Sequence, residues 1–424
     1  MVGWIILFFI VSPLIILYGA GYRYNFERKE ITQTGVIEIE VEPNDATIKI
    51  NGIYTKKKRL PNRAPGQYHI SLEKEGYKTW KKDIIVKSKE TTYIHKINLF
   101  KDTLPFKTLA TTTENVISLS SSPDGKFIFL LEKINKNYQI HNYNTQKEEL
   151  TTITKTENNQ LPQITWSPFG SIAKITTQNN DKTTITIINP NNNQQKIYTS
   201  SQENVVTQWK PLSAETLFIS DGEYINKVSI DNQETLFITP SSSVWYIDHR
   251  DTLWVINKEK TLLQSSNQDE LSLTEINPQI TKIVSINGER TILQTRDGII
   301  VTKREKNILT NPNLITATDI QYNPWTQEWT VWSNHEIWNI TEKGEIFLLD
   351  RSSDTIKNVK PLDKRGLLLI QKNQTITGFN PGYFVSHNLF TAKNIENLSV
   401  NVDKNTINFL GTIGEKRDLF TLEY

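Results

Sequence analysis

Six histidines, His69, His95, His141, His249, His335 and His387, come first, because an imidazole can hold a metal or pass a proton near neutral pH. They are scattered singly. No His-x-His or His-Glu-x-x-His spacing puts two rings on one face, so neither a metal centre nor a cofactor is expected. The chain has no cysteine, which removes thiolate zinc sites, cysteine nucleophiles, disulfide frameworks and a lipidated N-terminal cysteine. No Gly-x-Ser-x-Gly elbow, phosphate-cradling glycine loop or calcium-loop pattern occurs. Carboxylate pairs exist at Asp248/Asp251 and Asp350/Asp354, but a chain with 46 acidic residues supplies such pairs by chance. The chemistry read from the sequence is that of a protein that is not an enzyme.

Aromatic side chains are the denser signal. In the segment from Tyr322 to Trp332, with Trp338 beyond it, four of the ten tryptophans (Trp325, Trp329, Trp332, Trp338) fall within 14 residues. Such rings can present a platform to a sugar or peptide, or they can fill alternate strand positions between packed sheets. Trp325 follows Asn323-Pro324 in a turn and is the candidate for exposure, with Trp329 beside it; Trp332, in the next strand, is expected in the core. A second candidate surface is the basic run Lys56, Lys57, Lys58 and Arg59. Up to residue 103 there are 17 Lys and Arg against 11 Asp and Glu, a balance of +6; the remainder has 31 against 35, or −4. The basic part could face anionic lipid or cell-wall polymer. The long acidic part carries no basic cluster, so nucleic acid is not an expected partner.

Stepping toward the N-terminus, Trp4 to Tyr22 is a 19-residue stretch without a charge. At about 1.5 Å per residue a helix there reaches roughly 28 Å, close to the hydrocarbon thickness of a bilayer. Trp4 at one end and Tyr18, Tyr22 and Tyr24 at the other suit the two membrane interfaces. A cleaved signal peptide is the rival, with small residues at Gly19-Ala20-Gly21, but the basic leader is missing and the apolar run is long. Arg23, Arg28 and Lys29 follow the span and would by themselves hold the body in the cytoplasm, although long domains translocate largely regardless of flanking charge.

From Gly35 the apolar residues alternate: Val36, Ile37, Ile39 and Val41, then a turn at Pro43-Asn44-Asp45, then a returning strand from Ala46 to Ile50. Asn51-Gly52 has the composition of a type I′ hairpin, Lys56 to Arg59 read as a loop, and Pro65-Gly66 opens a strand carrying Tyr68, Ile70 and Leu72. Tyr77 and Trp80 supply ring area for a small core. Gly35-x-Ile37-x-Ile39, Pro43, Ala46-x-Ile48-x-Ile50-x-Gly52, Pro65-Gly66-x-Tyr68 and Gly76-Tyr77 resemble the PEGA domain, a bacterial surface-associated β-domain; the family's signature tetrapeptide stands here as Ala64-Pro65-Gly66-Gln67. The resemblance implies a β-sandwich and a cell-envelope setting, with the body outside the cytoplasm.

After Asp102 no helical period appears. Units begin at Val116, Leu161, Val205, Ser243, Ile280, Ile315, Ile356 and Ile395, spaced 35 to 45 residues apart, the length of one four-stranded propeller blade. Several first strands end in a proline turn: Ser122-Pro123-Asp124-Gly125, Trp166-Ser167-Pro168, Trp209-Lys210-Pro211 and Tyr322-Asn323-Pro324. These units resemble TolB-type propeller blades. The last has room for three strands, and Leu104 to Thr111 is expected to supply a fourth that closes the ring.

The sequence thus predicts an all-β protein: a transmembrane signal anchor over 1–24, a juxtamembrane linker over 25–34, a PEGA-like sandwich over 35–101 and a seven- or eight-bladed β-propeller over 102–424. The expected function is a non-catalytic, membrane-anchored envelope module whose propeller binds a protein or cell-wall partner. An envelope-polysaccharide enzyme with acidic residues converging in the channel, and a spacer without a ligand, are the alternatives.

Overall fold

The computed structural model describes residues 2–19, 21–25, 30–110, 114–156, 160–179, 182–202, 205–240, 244–257, 262–273, 280–288, 290–305 and 308–424; Ala20, Arg28, Lys29, Thr111 and Ser243 lie outside them. The chain divides into two compact units, Met1–Leu104 with Gly378–Leu389, and Pro105–Thr377 with Phe390–Tyr424.

The first unit opens with α1, Val2–Gly19. It is eighteen residues long. Among the described residues no helix is long and apolar enough to cross a membrane, so the span expected over residues 4–22 is not shown. One reason is local. The chain leaves the helix at Gly19, and Tyr22 and Tyr24 lie on β1 (Tyr22–Asn25), which pairs antiparallel with β2 (Glu30–Gln33). Arg23 fastens this reversal by stacking over the Tyr18 ring at 3.6 Å and donating to the Tyr18 and Tyr22 carbonyls, both at 2.7 Å. Such donation satisfies carbonyls that a helix end leaves bare.

Seven strands follow: β3 (Gly35–Glu42), β4 (Thr47–Ile50), β5 (Ile53–Thr55), β6 (Arg59–Arg63), β7 (Gly66–Glu73), β8 (Trp80–Val86) and β9 (Thr91–Asn98). They form two sheets, β6-β3-β9 and β5-β4-β7-β8. Alternation decides the inner faces: Ile37, Ile39 and Val41 from one sheet meet Ile48, Ile50, Ile70, Leu72, Trp80 and Val86 from the other. Two sequence expectations change. Pro43 to Asp45 do not fold β4 back beside β3; they carry the chain across to the other sheet, as suits a proline that has no N–H for the ladder. Arg59 is no loop residue either, since it opens β6 opposite Glu38, 3.6 Å from its carboxylate. Asn51 and Gly52 adopt positive φ, 50° and 80°, as the tight hairpin needs, and Asn51 Oδ1 accepts the His69 N–H at 2.8 Å. Trp80 meets Tyr383 edge-on with centroids 5.3 Å apart, and the Tyr383 hydroxyl accepts the His95 N–H at 3.0 Å. Burying an indole here is worth roughly 5 kcal/mol of transfer free energy.

The second unit begins with β10, Phe106–Ala110, and continues as repeated antiparallel sets of four strands. Blades 1 to 7 take residues 116–156, 163–200, 206–238, 245–272, 280–315, 319–351 and 358–391, the seventh of these sheets including the segment Gly378–Leu389 that clusters with the first unit. The last has three strands of its own over 394–423 and takes β10 as its fourth, with Phe106 opposite Leu422 and Lys107 opposite Thr421. Blades 4 and 5 share one sheet through a parallel bridge between Ser272 and Ile308 at their outer strands. Phe129, Ile140, Ala173 and Ile188 pack blade 1 on blade 2, and Ile187, Leu217 and Ile219 pack blade 2 on blade 3.

Turns after the inner strands seal the seams. Ser171 donates to Asp124 at 2.8 Å, Ser167 to the Ser213 carbonyl at 3.1 Å, and Lys364 pairs with Asp403 at 2.8 Å. At the seam between the last blade and the first, Asn401 Nδ2 donates to the Gly125 carbonyl at 3.1 Å and Lys404 to that of Thr145 at 2.7 Å. Gly125 has φ +67°, and a Cβ there would stand 2.4 Å from the Asn401 Cα.

Gly125→Ala is therefore expected to lose more than about 3 kcal/mol, from a left-handed conformation that is unfavourable for alanine and a clash with backbone; a urea melt unchanged from wild type would contradict the seam. Replacing residues 105–110 by a Gly-Ser linker of equal length should expose the edge of Lys416–Glu423 and lower the melting temperature.

Candidate functional site

The proline turns converge. Pro123, Pro168, Pro324 and Pro361 follow the inner strands of blades 1, 2, 6 and 7, and all four line one cavity of about 420 Å³. The last blade completes it with Asn397 to Val400. The repeated position has a physical cause: proline fixes φ where the strand must stop and lacks the N–H that would prolong the ladder. Repetition around a ring then brings equivalent turns to one mouth.

Between the prolines the lining is aromatic and neutral-polar. Blade 2 gives Thr165 and Trp166, blade 6 gives Gln321, Tyr322 and Trp325, and blade 7 gives Asn358 and Lys360. Trp166 is fixed by a 4.5 Å ring contact with Phe129 and by Nε1 donating to Ser120 Oγ at 3.0 Å. Tyr322 sits between Phe169 and Trp329, with centroids at 5.7 and 4.9 Å. Burial raises its phenol, against the opposing influence of Arg290. Trp325 is half-buried in its turn, and its backbone N–H donates to Asn323 Oδ1 at 3.1 Å.

Lys360 is the one charged residue among the described lining. Its ammonium donates to Gln321 Oε1 at 3.1 Å. Burial pushes its pKa down, and Asp319 opposes that without coming within ion-pair distance. A second lysine, Lys174, donates to Thr207 on the inner strand of blade 3. Burial, helped by repulsion from Lys282 on the inner strand of blade 5, brings it to about 8. By contrast Lys210, the residue before Pro211, is paired with Asp251, which also holds Lys227 at 2.9 Å. Asp251 stays ionised because these two ammonium groups outweigh its burial.

The other sequence candidates separate. Trp329 is partly buried, packed against the cluster that contains Ile292, Val331 and Ile340, and its Nε1 is buried without a hydrogen-bond partner. Trp332 is 5% exposed. Lys56, Lys57, Lys58 and Arg59 are exposed in the first unit, with Lys58 donating to Asn44 Oδ1 at 3.0 Å. Trp4, Tyr18 and Tyr24 are exposed and Tyr22 is half-buried. The Asp248 carboxylate caps its own turn, accepting from Arg250 N, Thr252 N and Trp254 Nε1. Among the described residues no group of three His, Cys, Asp or Glu could hold a metal ion. Sequence reading missed Lys360, although Lys360-Pro361 repeats the Lys210-Pro211 pattern, and it missed the last blade's share, which has no proline to mark it.

No curated protein matches the chain. Among solved structures, the β-propeller domain of Cps50 (Swd1) from Myceliophteria thermophila is similar at 9% identity and TM-score 0.44, covering 76% of this chain and all of that one. An uncharacterized protein from Listeria monocytogenes EGD-e is similar at 10% identity and TM-score 0.42, covering 67% of this chain and 98% of that one. At such values the propeller assignment rests on the strand topology itself. Residues 34–100, the two-sheet sandwich, match the PEGA domain.

Proposed function

We propose that this protein is a non-catalytic binding module of the bacterial cell envelope, anchored by its N-terminal helix, that recognises a cell-wall or protein partner at the mouth of its propeller. A PEGA domain joined to a β-propeller fits a binding or scaffolding module. The observation that carries the finer reading is the mouth cavity, about 420 Å³ in volume and lined by three aromatic rings with a polar collar, the composition and size of a ligand site. Anchoring is supported by the outward apolar side chains of α1, among them Trp4 at 77% and Phe9 at 70% exposure, which water would not favour. Extracytoplasmic placement of the body is supported by the envelope setting of PEGA domains. The enzyme alternative called for carboxylates converging on the channel, and the only charge in the described lining is that of Lys360.

Trp325→Ala should weaken co-sedimentation with cell-wall fragments by about 2 kcal/mol or more, the usual cost of truncating an aromatic anchor. Its melting temperature should stay near that of wild type, whereas Trp332→Ala should cost roughly 3–5 kcal/mol of stability. If Trp325→Ala melts as early as Trp332→Ala, the indole is core and the mouth is no platform.

Placement has its own measurement. Protease added to intact cells with a permeabilised outer layer should digest residues 35–424. Protection until the cells are lysed would put the body inside the cytoplasm.

A further inference from the structure

Lys210 and Lys360 both precede a proline but stand at different places in their blades: Lys210 closes its turn by bonding the Thr216 carbonyl, a bond that Leu362 makes to Leu367 in blade 7, so Lys360 lies two positions earlier, inside the inner strand opposite Leu369. The turn lysines reach the acids of the next blade, Lys210 pairing with Asp251 and Lys364 with Asp403 at 2.8 Å, whereas Lys360 donates to the neutral Gln321 oxygen and has no carboxylate at ion-pair distance. An ammonium has three donors. Desolvating one without an anion is unfavourable, and such groups persist where a ligand completes them.

The rest of the lining narrows the class. Trp166, Tyr322 and Trp325 offer flat apolar surfaces of the kind that receive the C–H faces of a sugar ring. Ser120, Thr165, Asn358 and Asn397 offer uncharged donors and acceptors suited to sugar hydroxyls. No carboxylate stands among the described lining residues to repel an anion. Lys174 and Lys282 add charge of the same sign on or beside the inner strands of blades 2, 3 and 5.

Resting on the reading of the mouth as the binding site, we infer that its ligand is an acidic carbohydrate, with Lys360 receiving the carboxylate or phosphate and Trp325 and Tyr322 facing the ring. Binding takes place without covalent change.

The test uses the full-length protein and protease-treated wall fragments from the cells that make it, in three forms: intact, with carboxyl groups amidated, and with phosphodiesters removed by hydrofluoric acid. Wild type should bind intact fragments and bind one treated form about tenfold or more weakly, the treatment that matters naming the anion. Lys360→Met and Lys360→Gln should each lose a similar factor on intact fragments, and Lys360→Arg should keep most of the binding. Lys360→Met should melt at or above wild type, because a desolvated cation has been replaced by an apolar chain of similar length; a structural lysine would melt lower. Wild-type binding that survives both treatments, or Lys360→Met and Lys360→Gln binding as tightly as wild type, overturns the acidic ligand while leaving the mouth as a site if Trp325→Ala still weakens it. Binding that needs the wall proteins, and vanishes with protease treatment, assigns a protein partner and overturns the inference too. No binding of wild type to any fragment, treated or not, removes the wall-binding reading itself.

Discussion

A single non-local pairing underlies the propeller: β10, near the start of the second unit, hydrogen-bonds the chain's final strand, Lys416–Glu423, and makes the last blade four-stranded. A ring of sheets with one blade short would leave an unpaired edge and an unsupported neighbour. Bringing together residues more than 300 positions apart costs loop entropy that grows only slowly with length, so two strands' worth of hydrogen bonds and the burial of Leu419, Phe420 and Leu422 can offset it. The candidate site depends on this pairing more than any other feature does. Its walls come from blades 6, 7 and 8 on one side of the closing seam and from blades 1 and 2 on the other. Gly125 and Asn401, which meet across that seam, are next to residues that line the cavity, Pro123 and Val400.

The mouth also shows how a repeat turns into a site. At each proline turn the chain solves the same problem, ending an inner strand and entering the next, and most solutions are self-contained. Asp124 is held below the ordinary carboxyl range because hydrogen bonds from Ser122 and Ser171 outweigh its burial, and it serves the seam. Lys210 and Asp251 satisfy each other. Lys360 stands two positions earlier in its blade, inside the inner strand, and donates to the Gln321 oxygen with no carboxylate at ion-pair distance, so it is the lysine of this set that the turns themselves do not neutralise.

Much of this architecture is readable in the chain. Inner strands begin at Val116, Gln163, Val206, Trp245, Ile280, Asp319, Asn358 and Asn394, within about four residues of the unit starts, because period-two apolar runs and proline turns are strong local signals. The sandwich core was legible for the same reason, down to Trp80. What escaped was non-local. That β3 and β4 belong to different sheets cannot be seen in Pro43-Asn44-Asp45, which would serve a hairpin or a crossing equally well. Trp325 and Trp329 look alike in sequence, yet four positions along an antiparallel pair put one in the turn and the other between blades. The helix ends at Gly19, short of Tyr22, and no local sign in the sequence marks that Arg23 grips the Tyr18 ring and turns the chain. Lys360 is invisible in the sequence because its surroundings, Gln321 and the turns of four other blades, meet only in the closed ring.

One detail of the sandwich sets its reach. Its first strand, β3, and its last, β9, lie side by side and run parallel, Val36 beside Thr91 and Glu42 beside Asn98. Most small antiparallel domains return the chain to where it came in. Here the polypeptide enters at the head of β3 and departs at the foot of β9, so eight residues of strand, at about 3.3 Å each, separate entry from exit by roughly 25 Å. The domain thus passes the polypeptide through its own length, entry at one end and exit at the other, instead of returning it to the same end.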